Sequence, residues 1–382
     1  GGRLVGSVTS FENFAECPLR YYLRYGVDLK EREEFTFSPV NFGVVLHAVI
    51  REVCDEIKKN GESYYLISEE KRREMVKRSV AAITDIYQNS ILKDSSRNSF
   101  MIKRMEDLAD RTVWAMGEQL KCGDFVPFVF EHKFNMEVGD GDRKQLMSGT
   151  IDRVDICENG TDVYVRIIDY KTGKKDFNIV KTYYGIDIQL MVYMEAAMKL
   201  VAKMRPGKNV IPAGVFYYNI SDPIVSATTE SAEEIEDKIK GELRLKGMVN
   251  SDKDIAEKMD NTEGTSLNIP VSRKADGGFD SRRSKVMNTE QFNMLGRFVD
   301  VRAIDTADRI VGGDIRRSPY KDGQFSSCDR CPYGAVCGFS VDLPGCNYRK
   351  LKKFDDEVLW NNIKEGVDEN GKKMDTGAEE RD

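Results

Sequence analysis

Apolar residues recur at helical spacing through the first third of the chain and at strand spacing through its middle. Over residues 41–58, Leu46, Val49, Ile50, Val53 and Ile57 fall on one face of an amphipathic helix. Residues 70–88 and 98–121 predict two more helices. Upstream, Ser10 is placed to cap a short helix through Phe14, and 18–25 continues as an aromatic-rich turn or helix. Three β-rich, partly alternating runs follow, at 129–138, 145–157 and 163–170, separated by Gly139-Asp140-Gly141 and Glu158-Asn159-Gly160 turns. A helix over about 186–203 and a strand at 213–220 come next. Helices, a strand meander, then helix and strand predict an α/β core with a mixed sheet, not a doubly wound one.

Residues 221–285 interrupt this pattern as a polar insertion. Its first half is expected to be helical over 231–245. Its second half, 261–285, is poor in apolar residues and is expected to be mobile. A long helix resumes over 288–310. The chain therefore reads as one domain over 1–353: a helical part 7–121, a sheet core 125–220, the insertion 221–285, and the long helix with a Cys-rich segment 288–353. A charged tail, 354–382, follows. No internal repeat is visible.

Composition adds limits. With 382 residues, 40% of them apolar and 32% charged, the chain can bury a substantial core. No apolar run approaches the roughly 20 residues of a membrane span. The Gly-rich start has no hydrophobic signal region, so a cytoplasmic protein with no membrane partner is expected. The net charge of −6 argues weakly against nucleic acid, because phosphates respond to a local basic groove and not to the total. The tail 365–382 supplies seven carboxylates against three basic residues, which leaves −2 for the rest.

The meander carries the chemistry. It contains Gly149-Thr150-Ile151-Asp152-Arg153-Val154-Asp155 and, on the next strand, Ile168-Asp169-Tyr170-Lys171. Alternation puts Asp169 and Lys171 on one face, with Asp152 beside them if the two strands pair. Two carboxylates form a hard oxygen site suited to Mg²⁺ or Mn²⁺. An adjacent ammonium would orient water and stabilise charge on a phosphate. Asp-x-Lys alone is ordinarily a surface salt bridge. Here Gln189 and Tyr193, spaced i, i+4 on the following helix, offer a shared polar face nearby. Asp155 reads as structural, and Glu131, ahead of the meander, as a candidate outer carboxylate.

In order, Gly43…His47, Gly149…Asp152-Arg153, Asp169…Lys171 and Gln189…Tyr193 resemble the motif series of the PD-(D/E)xK nuclease superfamily, in its RecB-like branch. The resemblance implies a restriction-endonuclease-like mixed sheet flanked by helices. It implies a metal held by His47, Asp152 and Asp169, and catalysis involving Asp152, Asp169, Lys171, Gln189 and Tyr193. Each motif is weak alone; four in series are specific.

Five cysteines need a separate reading, while Cys54, Cys122 and Cys157 are solitary and read as small core residues. Cys328-x-x-Cys331 followed by Cys337 gives three close thiolates, and Cys346 would complete a local zinc site. The stretch Glu16-Cys17-Pro18-Leu19-Arg20-Tyr21-Tyr22 instead resembles the Cys-Pro motif of RecB-like members that carry an iron–sulfur cluster. That resemblance implies a [4Fe–4S] cluster on Cys17, Cys328, Cys331 and Cys337, joining the N- and C-terminal ends. The resemblance runs closest to the nuclease region of AddB-type helicase–nuclease subunits. It therefore implies exonuclease action on single strands at DNA ends during double-strand-break processing, beside a partner subunit. No phosphate-binding Gly-x-x-x-x-Gly-Lys-Ser/Thr loop is present. A catalytically inactive single-strand DNA-binding module is the competing reading, and the intact acid–acid–lysine set speaks against it.

Overall fold

The computed structural model describes residues 4–30, 39–86, 96–139, 144–226 and 231–368. Strand β1 (Val5–Ser7) leads into α1 (Val8–Glu16) and α2 (Pro18–Tyr21), which ends in a π-helical turn at Tyr22–Gly26. Three long helices follow: α3 (Pro39–Lys59), α4 (Glu69–Ile86) and α5 (Ser96–Lys121). The meander is β2 (Val126–Val138), β3 (Gln145–Asn159) and β4 (Asp162–Lys171). Then come α6 (Ile179–Tyr183), α7 (Gln189–Met204) and β5 (Asn209–Asn219). The insertion holds α8 (Ala232–Glu242), β6 (Lys246–Asn250) and α9 (Lys253–Met259). Strand β7 (Val286–Met287) precedes α10 (Thr289–Val311). Short strands β8 (Tyr320–Asp322) and β9 (Phe325–Ser326), helix α11 (Gly334–Cys337), β10 (Arg349–Lys350) and α12 (Asp356–Asp368) end the described chain.

Seven strands form one mixed sheet in the order β1-β3-β4-β5-β6-β7, with β2 also paired to β3. The β3–β4 and β5–β6 pairs are antiparallel, and β4–β5 is parallel across the α7 crossover. Each face of the sheet has its own core. On one side α3, α4 and α5 bury Leu46, Val49, Ile50, Val53 and Ile57 against Ile168, Tyr170 and Phe216. On the other, α1, α7, α10 and α12 pack Phe11, Leu190, Phe298 and Leu359 against Val154, Ile167 and Tyr217. The expected mixed α/β architecture with flanking helices is present.

Three local expectations are corrected. Ser7, not Ser10, caps α1: its hydroxyl accepts the Ser10 N–H at 3.2 Å. The helix expected over about 186–203 is α7, which starts at Gln189, and the short α6 before it was not expected. The insertion is also no appendage. Its strand β6 pairs with β5 and β7, and its polar second half is folded around Asp260. That buried carboxylate accepts from Ser266 Oγ at 2.8 Å, Asn268 Nδ2 at 3.0 Å and the Thr262 N–H at 2.8 Å, while Ile269 and Val271 are buried nearby. Here side chains satisfy an irregular backbone, so the segment is ordered without an apolar period. Finally, the first half of the expected tail is helix α12, which buries Leu359 and Ile363 against α10. Residues 369–382, the Asp140-Gly141 half of the first turn, and Glu31-Arg32 lie outside the described residues.

The two ends of the domain meet. Leu19 donates its N–H to the Arg316 carbonyl at 3.2 Å, and Ser327 Oγ to the Glu16 carbonyl at 3.2 Å. Arg349 reaches the Ala15 carbonyl, and the Tyr333 hydroxyl donates to the Leu29 carbonyl at 3.0 Å.

Candidate active site

Strand β3 is shared. Its first part, Leu146–Ser148, pairs with β1, and its last part, Arg153–Asn159, pairs with β4. The β3–β4 ladder begins at Arg153 opposite Ile168. Asp152 and Asp169, the next residues outward, form no rung, and β4 continues to Lys171 paired only with β5. The strands thus fork at the two aspartates. Asp152 Oδ2 accepts the Tyr170 N–H at 2.7 Å, so a side chain takes the hydrogen bond that the departing strand leaves open. Opposite the fork, Glu131 on β2 has φ +48°, a left-handed backbone that costs about 1–3 kcal/mol and is common at functional sites.

Helix α3 brings His47 to the fork. Its Nδ1 lies 3.5 Å from Asp152 Oδ2 and 3.6 Å from Glu131 Oε1. His47, Glu131 and Asp152 each offer a ligand atom, and these lie within 4.8 Å of one another. Burial pulls the His47 pKa down, but hydrogen bonds to Asp152 and Glu131 outweigh it and hold the imidazole up to about 10. The site attracts positive charge.

Asp169 lies deeper, beside this trio but outside it. It is buried, and its Oδ2 is 2.6 Å from Lys171 Nζ in an ion pair. Burial and the Asp152 charge push its pKa up to about 7 against the pull of Lys171. The carboxylates of Glu131, Asp152 and Asp169 and the His47 imidazole form a donor set that suits Mg²⁺ or Mn²⁺. Lys171 Nζ also donates to Gln189 Oε1 at 2.9 Å, and Gln189 Nε2 donates to the Tyr193 hydroxyl at 2.9 Å. Gly149 has a steric reason to be glycine. An added Cβ would stand 2.8 Å from the Phe134 ring and 2.9 Å from that of Tyr193. At Gly43 a Cβ would make only ordinary contact with Thr172, at 3.6 Å.

The sequence reading assigned too small a part to Glu131, which stands in the closest trio while Asp169 does not. Its signal was the antiparallel β2–β3 pairing, which sets it across from Asp152. Glu12 was missed altogether. Its Oε1 accepts the Ile188 and Gln189 N–H groups at 2.9 and 3.0 Å, capping the helix that presents Gln189. Asp155 is structural, as expected: buried, it is held by Arg153 at 2.7 and 2.6 Å and by Arg166 at 2.8 Å.

At the other end of the domain, Cys17 sits between α1 and α2, near enough to Cys328 and Cys337 to act on their thiols. Burial raises the Cys328 thiol pKa; a hydrogen bond from Tyr348 opposes this, and Cys17, Cys331 and Cys337 add to the rise. Cys337 is raised by burial too, with Cys17 and Cys331 contributing. Cys346 is buried in the loop before β10.

A fork of this kind, with acids on two strands and a lysine two residues beyond the second acid, defines a class of phosphodiester-cleaving fold. The sequence profile of the PD-(D/E)XK nuclease superfamily matches residues 6–338, and the chain belongs to that superfamily. Its relatives include the AddB-type subunit of the ATP-dependent helicase/deoxyribonuclease of Thermoanaerobacter sp. (strain X514), 33% identical over 97% of this chain and 33% of that protein. The corresponding protein of Lachnoclostridium phytofermentans is 34% identical over 100% of this chain and 33% of its own length. That of Clostridium acetobutylicum is 34% identical over 97% and 33%. The chain spans about a third of the length of these relatives. Among the described residues, no helix is long and apolar enough to cross a membrane.

Imidazole binds a metal only when neutral, so a metal and a proton compete for His47. The neighbouring carboxylates raise the His47 pKa to about 10 and so favour its protonated form at pH 7, and a Mn²⁺ ion bound there would have to displace that proton. Calorimetry in buffers of different ionisation enthalpy should show about one proton released per Mn²⁺. Affinity should rise between pH 6 and 8, as Asp169, at about 7, also ionises. Affinity independent of pH would contradict a site that includes His47.

Proposed function

We propose that the chain is a metal-dependent deoxyribonuclease that hydrolyses single strands at DNA ends, as the nuclease part of a helicase–nuclease in double-strand-break processing. The observation that carries this reading is the fork, which draws His47, Glu131, Asp152, Asp169 and Lys171 to one mouth between two strands. His47, Glu131, Asp152 and Asp169 would hold Mg²⁺ or Mn²⁺. Such an ion, when bound, polarises a phosphoryl oxygen and makes water a better nucleophile.

The chain's own residues do the rest. Gln189, fixed by Tyr193 and by the cap at Glu12, holds the Lys171 ammonium at the mouth. There Lys171 orients the attacking water and offsets charge gathering on the phosphate oxygens. The water oxygen bonds to phosphorus as the bond to the leaving sugar oxygen breaks. The sequence holds no Gly-x-x-x-x-Gly-Lys-Ser/Thr loop, and ATP-driven movement along DNA would come from the remainder of a longer protein or from a partner subunit. That assignment is supported by the relatives, which are parts of an ATP-dependent helicase/deoxyribonuclease.

Cys17, Cys328, Cys331 and Cys337 are assigned one [4Fe–4S] cluster that ties α1–α2 to the C-terminal segment across some 310 residues. Constraining so long a loop removes unfolded-state entropy. Cys346, outside the set of cysteines that raise Cys328, is given no ligand role. Anaerobically purified protein should be brown, with about four iron and four sulfide per chain. Cys17→Ser should lose the colour and Cys346→Ser keep it; stoichiometric zinc without sulfide would overturn the assignment.

The catalytic assignment is tested by cleavage of end-labelled single-stranded DNA with titrated Mg²⁺. Asp169→Ala and Lys171→Ala should each lower the rate by at least a hundredfold with the fold intact. Lys171→Ala should leave metal affinity near wild type, and excess Mn²⁺ should restore part of His47→Ala. A surface ion pair would be worth about 1 kcal/mol or less and would leave all three near wild-type rates. Cleavage close to wild type by Asp169→Ala and Lys171→Ala would refute the assignment.

A further inference from the structure

A cleft of 920 Å³ opens directly beyond Lys171, on the α3–α5 side of the sheet. It starts at Thr172, runs along the β4–α6 connection and the end of β5, and is walled by α5 and by the insertion at Lys246. Its walls carry Arg104, Lys174 and Lys246, none of which has an ion pair among the described residues. Two acids on the walls are already engaged: Asp176 pairs with Lys285 at 2.6 Å and Asp222 with Arg111 at 3.3 Å. Glu242 is the remaining one. The floor is apolar, formed by Phe42, Met101 and Ile220. Burial and the neighbouring Arg244 lower the pKa of Lys246, outweighing the opposing pull of Asp176 and Glu242.

We propose that this cleft is the track for a single strand of nucleic acid running to or from the metal centre, with Arg104, Lys174 and Lys246 gripping its phosphates. The proposal rests on the nuclease reading and gives the insertion a role in it. A single strand fits these walls better than a duplex. Unpaired bases can lay their faces on an apolar floor while the backbone meets cations, whereas a duplex keeps its base faces stacked inside. The cleft adjoins the fork, because Thr172 in its wall follows Lys171 and packs beside Gly43, one helical turn before His47. The insertion contributes Lys246 from β6, a strand held firmly in the main sheet, so the cation is placed by the fold and not by a loose arm.

The test is binding of a fluorescent oligodeoxythymidylate in EDTA, where no cleavage occurs, to wild type and to Lys174→Glu/Lys246→Glu. We expect affinity to fall at least tenfold. The slope of log affinity against log salt should become shallower by roughly 1.4, at ~0.7 per lost phosphate contact. Charge reversal on the opposite face of the sheet, Lys199→Glu/Lys203→Glu, should change affinity less than twofold. Mn²⁺ binding and circular dichroism check that the variants fold, and Arg104→Glu, on the exposed side of α5, serves if the double variant does not. Unchanged affinity and slope would overturn the proposal. So would an equal loss in the control pair, or intact DNA binding with loss of a protein that co-purifies with wild type. Binding through these residues without Mn²⁺-dependent cleavage would uphold the track while removing the nuclease reading.

Discussion

A single hydrogen bond closes the fork on which the site depends. Where β3 and β4 part, the Tyr170 N–H has lost its ladder partner, and Asp152 Oδ2 takes it at 2.7 Å. A buried N–H without a partner would cost about 1–3 kcal/mol, so the bond fixes both the Asp152 carboxylate and the divergence of the strands. The opening admits His47 from the helical side. It also leaves Asp169 and Lys171 on a strand end supported only by β5. Without it the two aspartates would be one more rung of a closed sheet.

Rigid packing beneath the fork keeps it open. Arg153, Asp155 and Arg166 are all buried, and one carboxylate serves two guanidinium groups. Such a group adds little net stability, yet removal of one member typically costs about 3–5 kcal/mol because it strands a buried charge. Its geometric effect is to lock the β3–β4 register next to Asp152. On the other face, Glu12 caps α7 and Gln189 passes that placement to Lys171. The two sides meet on β4, where Lys171 pairs with Asp169 at 2.6 Å.

Much of this was legible in the sequence, for identifiable reasons. Apolar periodicity found α3, α5 and α10 because each buries one face, and the meander showed as β-rich runs because its strands are buried on both. The residues later found at the mouth were visible as motifs on consecutive elements, since local spacing decides which side chains share a face. Glu131 was undervalued because its importance comes from a left-handed backbone opposite the fork, which no residue pattern announces. Glu12 lies some 176 residues before the amides it caps, a contact only tertiary structure creates. The insertion escaped because Asp260, Ser266 and Asn268 order it through polar contacts, while its hydrophobic pattern resembles that of an unfolded segment.

The central claim is that one cation belongs at the fork, shared by residues from α3, β2, β3 and β4. Crystals soaked in Mn²⁺ and measured at the manganese edge test it most directly. The account predicts an anomalous peak roughly 2 Å from ligand atoms of His47 and Asp152, with Glu131 and Asp169 at the same ion directly or through water. Full soaking with no peak at the fork, or a peak bound only by carboxylates elsewhere on the surface, would contradict it.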